Sequence, residues 1–318
     1  MLKKFEYIKA KSFEEAVDLL SHYGDKAKLI AGGTDVMVAI KQGKITPEVL
    51  ISIKNISEGS YIKVSEEELK IGAITTHREL EKNPHIQKLG ALIDAVRQLG
   101  SVQIRNVATI GGNICNAAPS ADTVPPLLVH DARLTIKGHN GLKTFPIEEF
   151  FLGPGKTVLS SDEVLTEIII PLPRMSSASA YWKHSRRKGM DLAIIGVALW
   201  IDVIFEDVEK LKAVKNGEIE EQFEALERSA IYCKDVRLAL GVAAPKPIRT
   251  HKAEEFLKGQ RLSRRTLTEF GAIAASEAQP RDTFRGEAWY RREMIKVLPA
   301  RLCLLCIYRL LDSFGGEA

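Results

Sequence analysis

Two short stretches carry residue types and spacing that could hold a phosphorylated ligand: Ala31-Gly-Gly-Thr-Asp35 and Thr109-Ile-Gly-Gly-Asn113. Each omits two side chains in succession, so the backbone there can take a positive φ or approach another group closely. Each also keeps a hydroxyl or amide side chain beside the glycines. Successive N–H groups in such a turn form an anion-binding nest, to which Thr or Asn adds hydrogen bonds. One glycine pair after a strand is ordinarily a tight turn. Two pairs of matching chemistry point to a shared ligand. Neither has the Gly-x-Gly-x-x-Gly spacing, and no P-loop motif occurs, which disfavours a Rossmann domain and a P-loop NTPase.

Asp122 follows Asn113 by nine residues, at the end of a polar stretch that begins at Gly100. A carboxylate there would repel phosphate but suits a ribose hydroxyl; a turn-forming or capping role is the alternative. Lys183 lies in Tyr181-Trp-Lys-His-Ser-Arg-Arg-Lys-Gly-Met-Asp191, the densest basic and aromatic run. Such runs are ordinarily solvated loops, but the strand before it aims Lys183 to one face, where a cation can meet a cofactor's anionic atoms. Cys303 and Cys306 sit in an apolar run and read as core cysteines. The histidines show no metal-ligand spacing, so no metal site is expected. No nucleophile–base pair is visible, so no catalytic residue is assigned.

The elements that must position these residues follow from periodicity and caps. A strand is expected at 5–9. A helix then starts at the N-cap Ser12, with Glu15 at the capping-box position and Ala16, Leu19 and Leu20 on one face. A strand at 28–31 runs into the first glycine pair, 36–41 is helical, and 49–53 is a β-prone strand. A second unit has a strand at 69–73, helices from 75 and over 89–99, and a short helix with Pro125 and Pro126 in its first turn. Strands at 133–136 and 167–170 follow, with a turn at 150–155. The Pro- and Ser-rich 174–179 marks a domain boundary. Beyond it come strands at 180–183, 193–203 and 236–241, then helices at 252–257, 264–278 and 288–311. Pro299 should kink or split the last. The stretch 206–228 holds eight acidic and four basic residues and reads as an exposed helical or mobile insertion.

The 318 residues suffice for two or three domains, with 45% hydrophobic and 27% charged residues. The net charge of +4 is too weak for a nucleic-acid partner. No apolar run approaches a bilayer's span, the N-terminus lacks a signal-peptide pattern, and four scattered cysteines make no disulfide framework. A soluble cytoplasmic protein with reduced thiols and no membrane association is expected.

Together these motifs resemble a known family. Leu29-Ile-Ala-Gly-Gly-Thr-Asp-Val36, Gln103-Ile-Arg-Asn-Val-Ala-Thr-Ile-Gly-Gly-Asn113 and Asp122 look like the FAD-binding medium subunit of molybdenum hydroxylases, closest to bacterial xanthine dehydrogenase FAD subunits. The likeness continues through Gly153-Pro-Gly-Lys156, Asp162-Glu-Val-Leu165, Arg186-Arg-Lys-Gly-Met-Asp-Leu-Ala193 and Leu240-Gly-Val-Ala-Ala-Pro-Lys-Pro-Ile-Arg249. It implies an α+β fold: a two-subdomain FAD-binding module of the vanillyl-alcohol-oxidase/molybdopterin-dehydrogenase type over 1–175 (subdomains 1–57 and 58–175), and a C-terminal α/β domain of the CO dehydrogenase flavoprotein type over 176–318.

By the same resemblance, Leu29, Ile30, Ala31, Gly32, Gly33, Thr34, Asp35 and Val36 wrap the FAD pyrophosphate together with Thr109, Ile110, Gly111, Gly112 and Asn113. Asp122 holds ribityl or ribose hydroxyls, Leu99 and Leu165 pack on the adenine and flavin ends, Lys183 reaches the flavin's polar edge, and Leu192 lies near the ring. The implied activity is that of an oxidoreductase subunit: electrons pass from 2Fe–2S clusters of a small subunit through FAD to NAD⁺ or another acceptor, with a molybdopterin-binding large subunit completing a heterotrimer. The rival readings are a stand-alone FAD-dependent oxidase, a carbon monoxide or aromatic-substrate dehydrogenase subunit, and a nucleotide-binding scaffold. The cysteine-bearing loop of the thioester-reducing relatives is absent, since 134–150 has no Cys.

Overall fold

The computed structural model describes residues 3–207 and 217–315. The chain opens with β1 (Glu6–Lys9), α1 (Phe13–Tyr23), β2 (Ala27–Ile30), α2 (Val36–Lys41) and β3 (Val49–Ser52), whose strands pair in parallel in the order β1-β3-β2. All of β3 is buried, as expected for the middle strand of a covered parallel sheet. Ser12 caps α1 by accepting from Glu15 N at 3.1 Å. The Glu15 carboxylate, however, accepts from Lys11 N at 2.6 Å, so the capping box forms one residue out of place. Phe13, Ala16, Val17 and Leu20 bury one face of the helix.

The next segment runs β4 (Ile62–Val64), β5 (Glu68–Gly72), α3 (His77–Lys82), α4 (Pro84–Gln87), α5 (Gly90–Gln98), α6 (Val102–Arg105), α7 (Ile110–Cys115) and α8 (Val124–Val129). It continues with β6 (Arg133–Gly138), β7 (Gly141–Pro146), α9 (Ile147–Phe150), β8 (Phe151–Gly153), β9 (Lys156–Thr157) and β10 (Val164–Pro171). Five of its strands form an antiparallel sheet, β4-β5-β10-β6-β7, and β8 pairs β9, so the expected turn at 150–155 is partly strand. Thr76 and Glu79 form a complete capping box that starts α3.

The last segment comprises β11 (Ser177–His184), β12 (Ile195–Asp207), α10 (Ile219–Glu227), β13 (Ala230–Gly241), β14 (Ile248–Arg249), α11 (His251–Leu257), α12 (Arg264–Glu277) and α13 (Ala288–Gly315). Its antiparallel sheet, β11-β12-β13-β14, is covered on both faces. Val197, Leu199, Ile201 and Val203 pack with the C-terminal helices, while Tyr181, Ala198, Trp200 and Ala239 join the core that contains α5 and α8. Two buried faces explain why 195–203 is apolar without alternation.

Two expectations are corrected here. In the charged stretch, 208–216 lies outside the described residues, but α10 buries Ala225 and Leu226 in the C-terminal core and is not simply a solvated face. The 28-residue α13 runs unbroken through Pro299, so that proline does not split it. Tertiary packing outweighs the local penalty: Leu298, Ala300 and Leu302 on either side are buried.

Candidate functional site

A cavity of about 1360 Å³ opens where the three sheets meet. Ordinary small-molecule pockets hold roughly 300–1,000 Å³. The expected residues Leu29 to Val36, Leu99, Thr109, Gly111, Gly112, Asn113, Asp122, Leu165 and Lys183 all line it, and so does Leu192. Ile110 does not. Its side chain is fully buried in the core beneath the sheet of β5, β6 and β10.

The first glycine pair links β2 to α2. Gly33 takes φ +74, a left-handed conformation that a side chain would strain. Among the described residues, the backbone N–H groups of Gly32, Gly33, Thr34, Asp35 and Val36 donate to no protein group. Asp35 is at the N-cap of α2, but its side chain makes no capping bond. Burial raises its carboxyl above the usual range, against a hydrogen bond from Thr34. The result is a run of unsatisfied donors along the cavity wall, which is what an anion needs.

The second pair is built differently. Ile110 N donates to Thr75 O at 3.0 Å and Gly111 N to Ala73 O at 2.8 Å. Gly112 N donates to the capping Thr109 Oγ1 at 3.1 Å, and Asn113 N to Thr109 O at 3.0 Å. The expected nest at 109–113 is therefore corrected: this turn is the closed, capped start of α7. Only side-chain donors remain, chiefly the Asn113 amide, whose Oδ1 accepts from Thr123 at 2.6 Å.

Each turn also has a glycine pressed against backbone from elsewhere, Gly32 against the approach to the second turn and Gly111 against the end of β5. A Cβ on Gly32 would stand 2.0 Å from Val107 O, and one on Gly111 would stand 2.5 Å from Ala73 O. Those glycines serve close backbone approach, not a left-handed turn.

Asp122 and Lys183, assigned separate contacts by resemblance, meet across the cavity wall. Lys183 Nζ lies 2.7 Å from Asp122 Oδ2 and donates to Gln98 O at 3.3 Å. Tyr181, two positions away on the same face of β11, donates from its hydroxyl to Asp122 Oδ1 at 2.9 Å. Burial pushes the Asp122 carboxyl up, while the Lys183 cation and the Tyr181 hydroxyl pull it back. The Tyr181 phenol is raised well above its ordinary value by burial and the adjacent carboxylate. The lysine's charge is thus mostly matched at close range.

Several lining residues escaped the sequence reading. His77, at the start of α3, is fully buried, and neither ring nitrogen has a partner among the described residues. Burial and the nearby Arg105 push its pKa down to about 4. Its place at a helix start was the only local signal. Cys115 is a mostly buried part of the wall, and burial raises its thiol to about 12. Phe284 and Arg285 come from the loop before α13 and carry no motif. That loop is held by the buried Arg291, which donates to Ile194 O and Thr283 Oγ1, each at 2.8 Å, and to Arg281 O. Cys303 and Cys306 are fully buried, as expected. No helix among the described residues is long and apolar enough to cross a membrane.

Comparison with known proteins gives this arrangement a context. Residues 3–173 match the family described as FAD binding domain in molybdopterin dehydrogenase, and 224–305 match the CO dehydrogenase flavoprotein C-terminal domain. The chain is 33% identical over 299 residues to the xanthine dehydrogenase FAD-binding subunit of Escherichia coli O157:H7, covering 93% of this chain and 94% of that one. It is 37% identical over 207 residues to the nicotinate dehydrogenase FAD-subunit of Eubacterium barkeri, over 64% and 70% of the two chains. A solved carbon monoxide dehydrogenase structure from Hydrogenophaga pseudoflava aligns with a TM-score of 0.84 at 30% identity, over 95% of this chain and 97% of that one.

Proposed function

The chain belongs to the molybdenum hydroxylase family as its FAD-binding medium subunit, and from that premise we propose that it relays electrons from 2Fe–2S clusters of a small subunit to NAD⁺, in a complex whose molybdopterin-binding large subunit oxidises a xanthine-like substrate. The observation that carries the reading is the run of unpaired N–H groups from Gly32 to Val36, facing an oversized cavity. Such donors fit a pyrophosphate, and a buried carboxylate with free lone pairs fits the hydroxyls of a ribityl or ribose unit. The residues present therefore suit FAD.

In this reading Gly32 to Val36 bind the pyrophosphate, with the Asn113 amide beside them. Asp122 accepts from sugar or ribityl hydroxyls, and Leu99 and Leu165 shield the ring systems from water. Lys183 presents an N–H donor to the ring's polar edge, its charge tempered by Asp122. When bound, FAD supplies a centre that accepts electrons singly and releases them singly or in pairs. The chain's own contribution is position, dryness and electrostatics. The relatives named above include xanthine, nicotinate and carbon monoxide dehydrogenases, so the substrate is set by the partner subunit.

Two measurements test this. Purification under native conditions should bring down a molybdopterin-binding chain and an iron–sulfur chain. Anaerobic titration of the reduced chain with NAD⁺ should restore the visible absorbance of oxidised flavin. If NAD⁺ leaves the flavin reduced while an artificial acceptor oxidises it, the assignment of NAD⁺ fails and the flavoprotein reading stands.

A further inference from the structure

Tyr181 has no part in the ligand contacts proposed above, yet the packing around it is built to fix one atom. The register of the C-terminal sheet places Lys183 opposite Gly196 and Gly196 opposite Gly241, with Tyr181, Ala198 and Ala239 in the neighbouring row. The next row on the same face holds Ser179, Trp200 and Arg237. The small residues leave a hollow that the segment bearing Asp122 enters. Val242 N donates to Pro119 O at 3.0 Å, and a Cβ on Gly241 would stand 3.1 Å from Pro125 Cγ. A Cβ on Gly196 would stand 2.6 Å from the Tyr181 hydroxyl itself. Only glycine at 196 lets that hydroxyl reach Asp122.

We propose that Tyr181, seated against Gly196, is a positioning residue for the cofactor, its hydroxyl holding the Asp122 carboxylate in the orientation that meets the ligand's hydroxyls. The inference rests on Asp122 being a FAD contact. A carboxylate offers about four lone-pair positions. Tyr181 takes one on Oδ1 and Lys183 one on Oδ2, which leaves a position on each oxygen. Lysine alone would be a poor guide, because its long stem is free to pivot and its ammonium also serves Gln98 O. Tyr181 is buried and rigid, and its backbone N–H is itself tied to Asp94 at 3.0 Å. With phenylalanine at 181, Oδ1 loses its donor and the carboxylate is free to rotate toward Lys183.

The test is a double-mutant cycle on the full chain stripped of FAD, reading FAD affinity by calorimetry with apo-protein melting measured in parallel. Asp122→Asn should raise the FAD Kd about 10- to 150-fold, and Tyr181→Phe and Gly196→Ala each about 5- to 20-fold. In the Asp122→Asn background, Tyr181→Phe should change the Kd by less than about twofold, because the residue acts through that carboxylate. An equal loss of affinity in both backgrounds would mean a merely structural role and overturns the proposal. So does a Tyr181→Phe chain that binds FAD within about twofold of the parent while Asp122→Asn binds weakly; the placement of Asp122 then survives. If Asp122→Asn binds FAD like the parent, that placement falls and takes the inference with it.

Discussion

At Gly32-Gly33 the backbone donors through Val36 are unpaired among the described residues, whereas at Gly111-Gly112 every donor from 110 to 113 is bonded within the fold. Both turns lead into a short helix, and both have a glycine pressed against foreign backbone. They differ in what lies at the cap. Thr109 turns its hydroxyl onto Gly112 N, and the chain at 73–75 offers carbonyls to the two N–H groups before it. Asp35 makes no such bond. A glycine pair therefore supplies a shape, and its surroundings decide whether the donors face a ligand or the fold. One turn grips and the other braces.

The largest test of that division is Gly32→Ala. Its Cβ would meet a backbone carbonyl that cannot rotate aside, so a loss of about 3 kcal/mol or more is expected in denaturant melts, with FAD lost on gel filtration. Parent-like folding and FAD content in that variant would break the claim that Gly32 must pack directly on the backbone at Val107.

Acid should unpick the bracing side. His77 N donates to Ala108 O just before the second turn, and its ring titrates near 4 when folded. The unfolded ring takes up its proton near pH 6.5. Stability is therefore complete above pH 6.5 and is lost as pH falls from there toward 4, by up to about 3 kcal/mol. His130, pushed to about 3 by burial and Arg237, contributes with the same sign. Melts from pH 7 to pH 4 should steepen accordingly, and His77→Phe should reduce the slope without abolishing it.

Thr109→Ala removes the cap of the closed turn and should cost about 1 kcal/mol, with FAD affinity changed less than about threefold. A collapse of FAD binding in a chain that still melts cooperatively would show that the second turn's N–H groups reach the ligand after all. The smallest effect is expected for Gly112→Ala. Its Cβ meets only Thr109 Oγ1, at 2.9 Å, and alanine is the better helix former, so the net change should stay below about 1 kcal/mol.

Much of this was legible in the sequence, and for reasons that can be named. Caps such as Ser12 and the apolar spacing of α1 and α5 act over one or two helical turns, so their chemistry is visible locally. The paired glycines and Asp122 carry the resemblance that implied FAD, and residues 3–173 match the FAD-binding family. Pro299 does not split its helix, which is held by neighbours distant in the chain. Phe284 and Arg285 were missed because Arg291, which holds their loop, acts through carbonyls 10 and 97 residues away.

The residues by themselves were sufficient for the family, the cofactor and the existence of two special turns, since these rest on backbone permissiveness and motif order. Folding alone settled which donors stay open, because hydrogen-bond saturation depends on carbonyls brought in from elsewhere. It also settled the company that Asp122 keeps. Tyr181 and Lys183 lie 59 and 61 residues from that carboxylate, and a glycine on the next strand makes room for the contact. No local pattern records such a meeting, because its physical cause is space left vacant on one strand and filled from another.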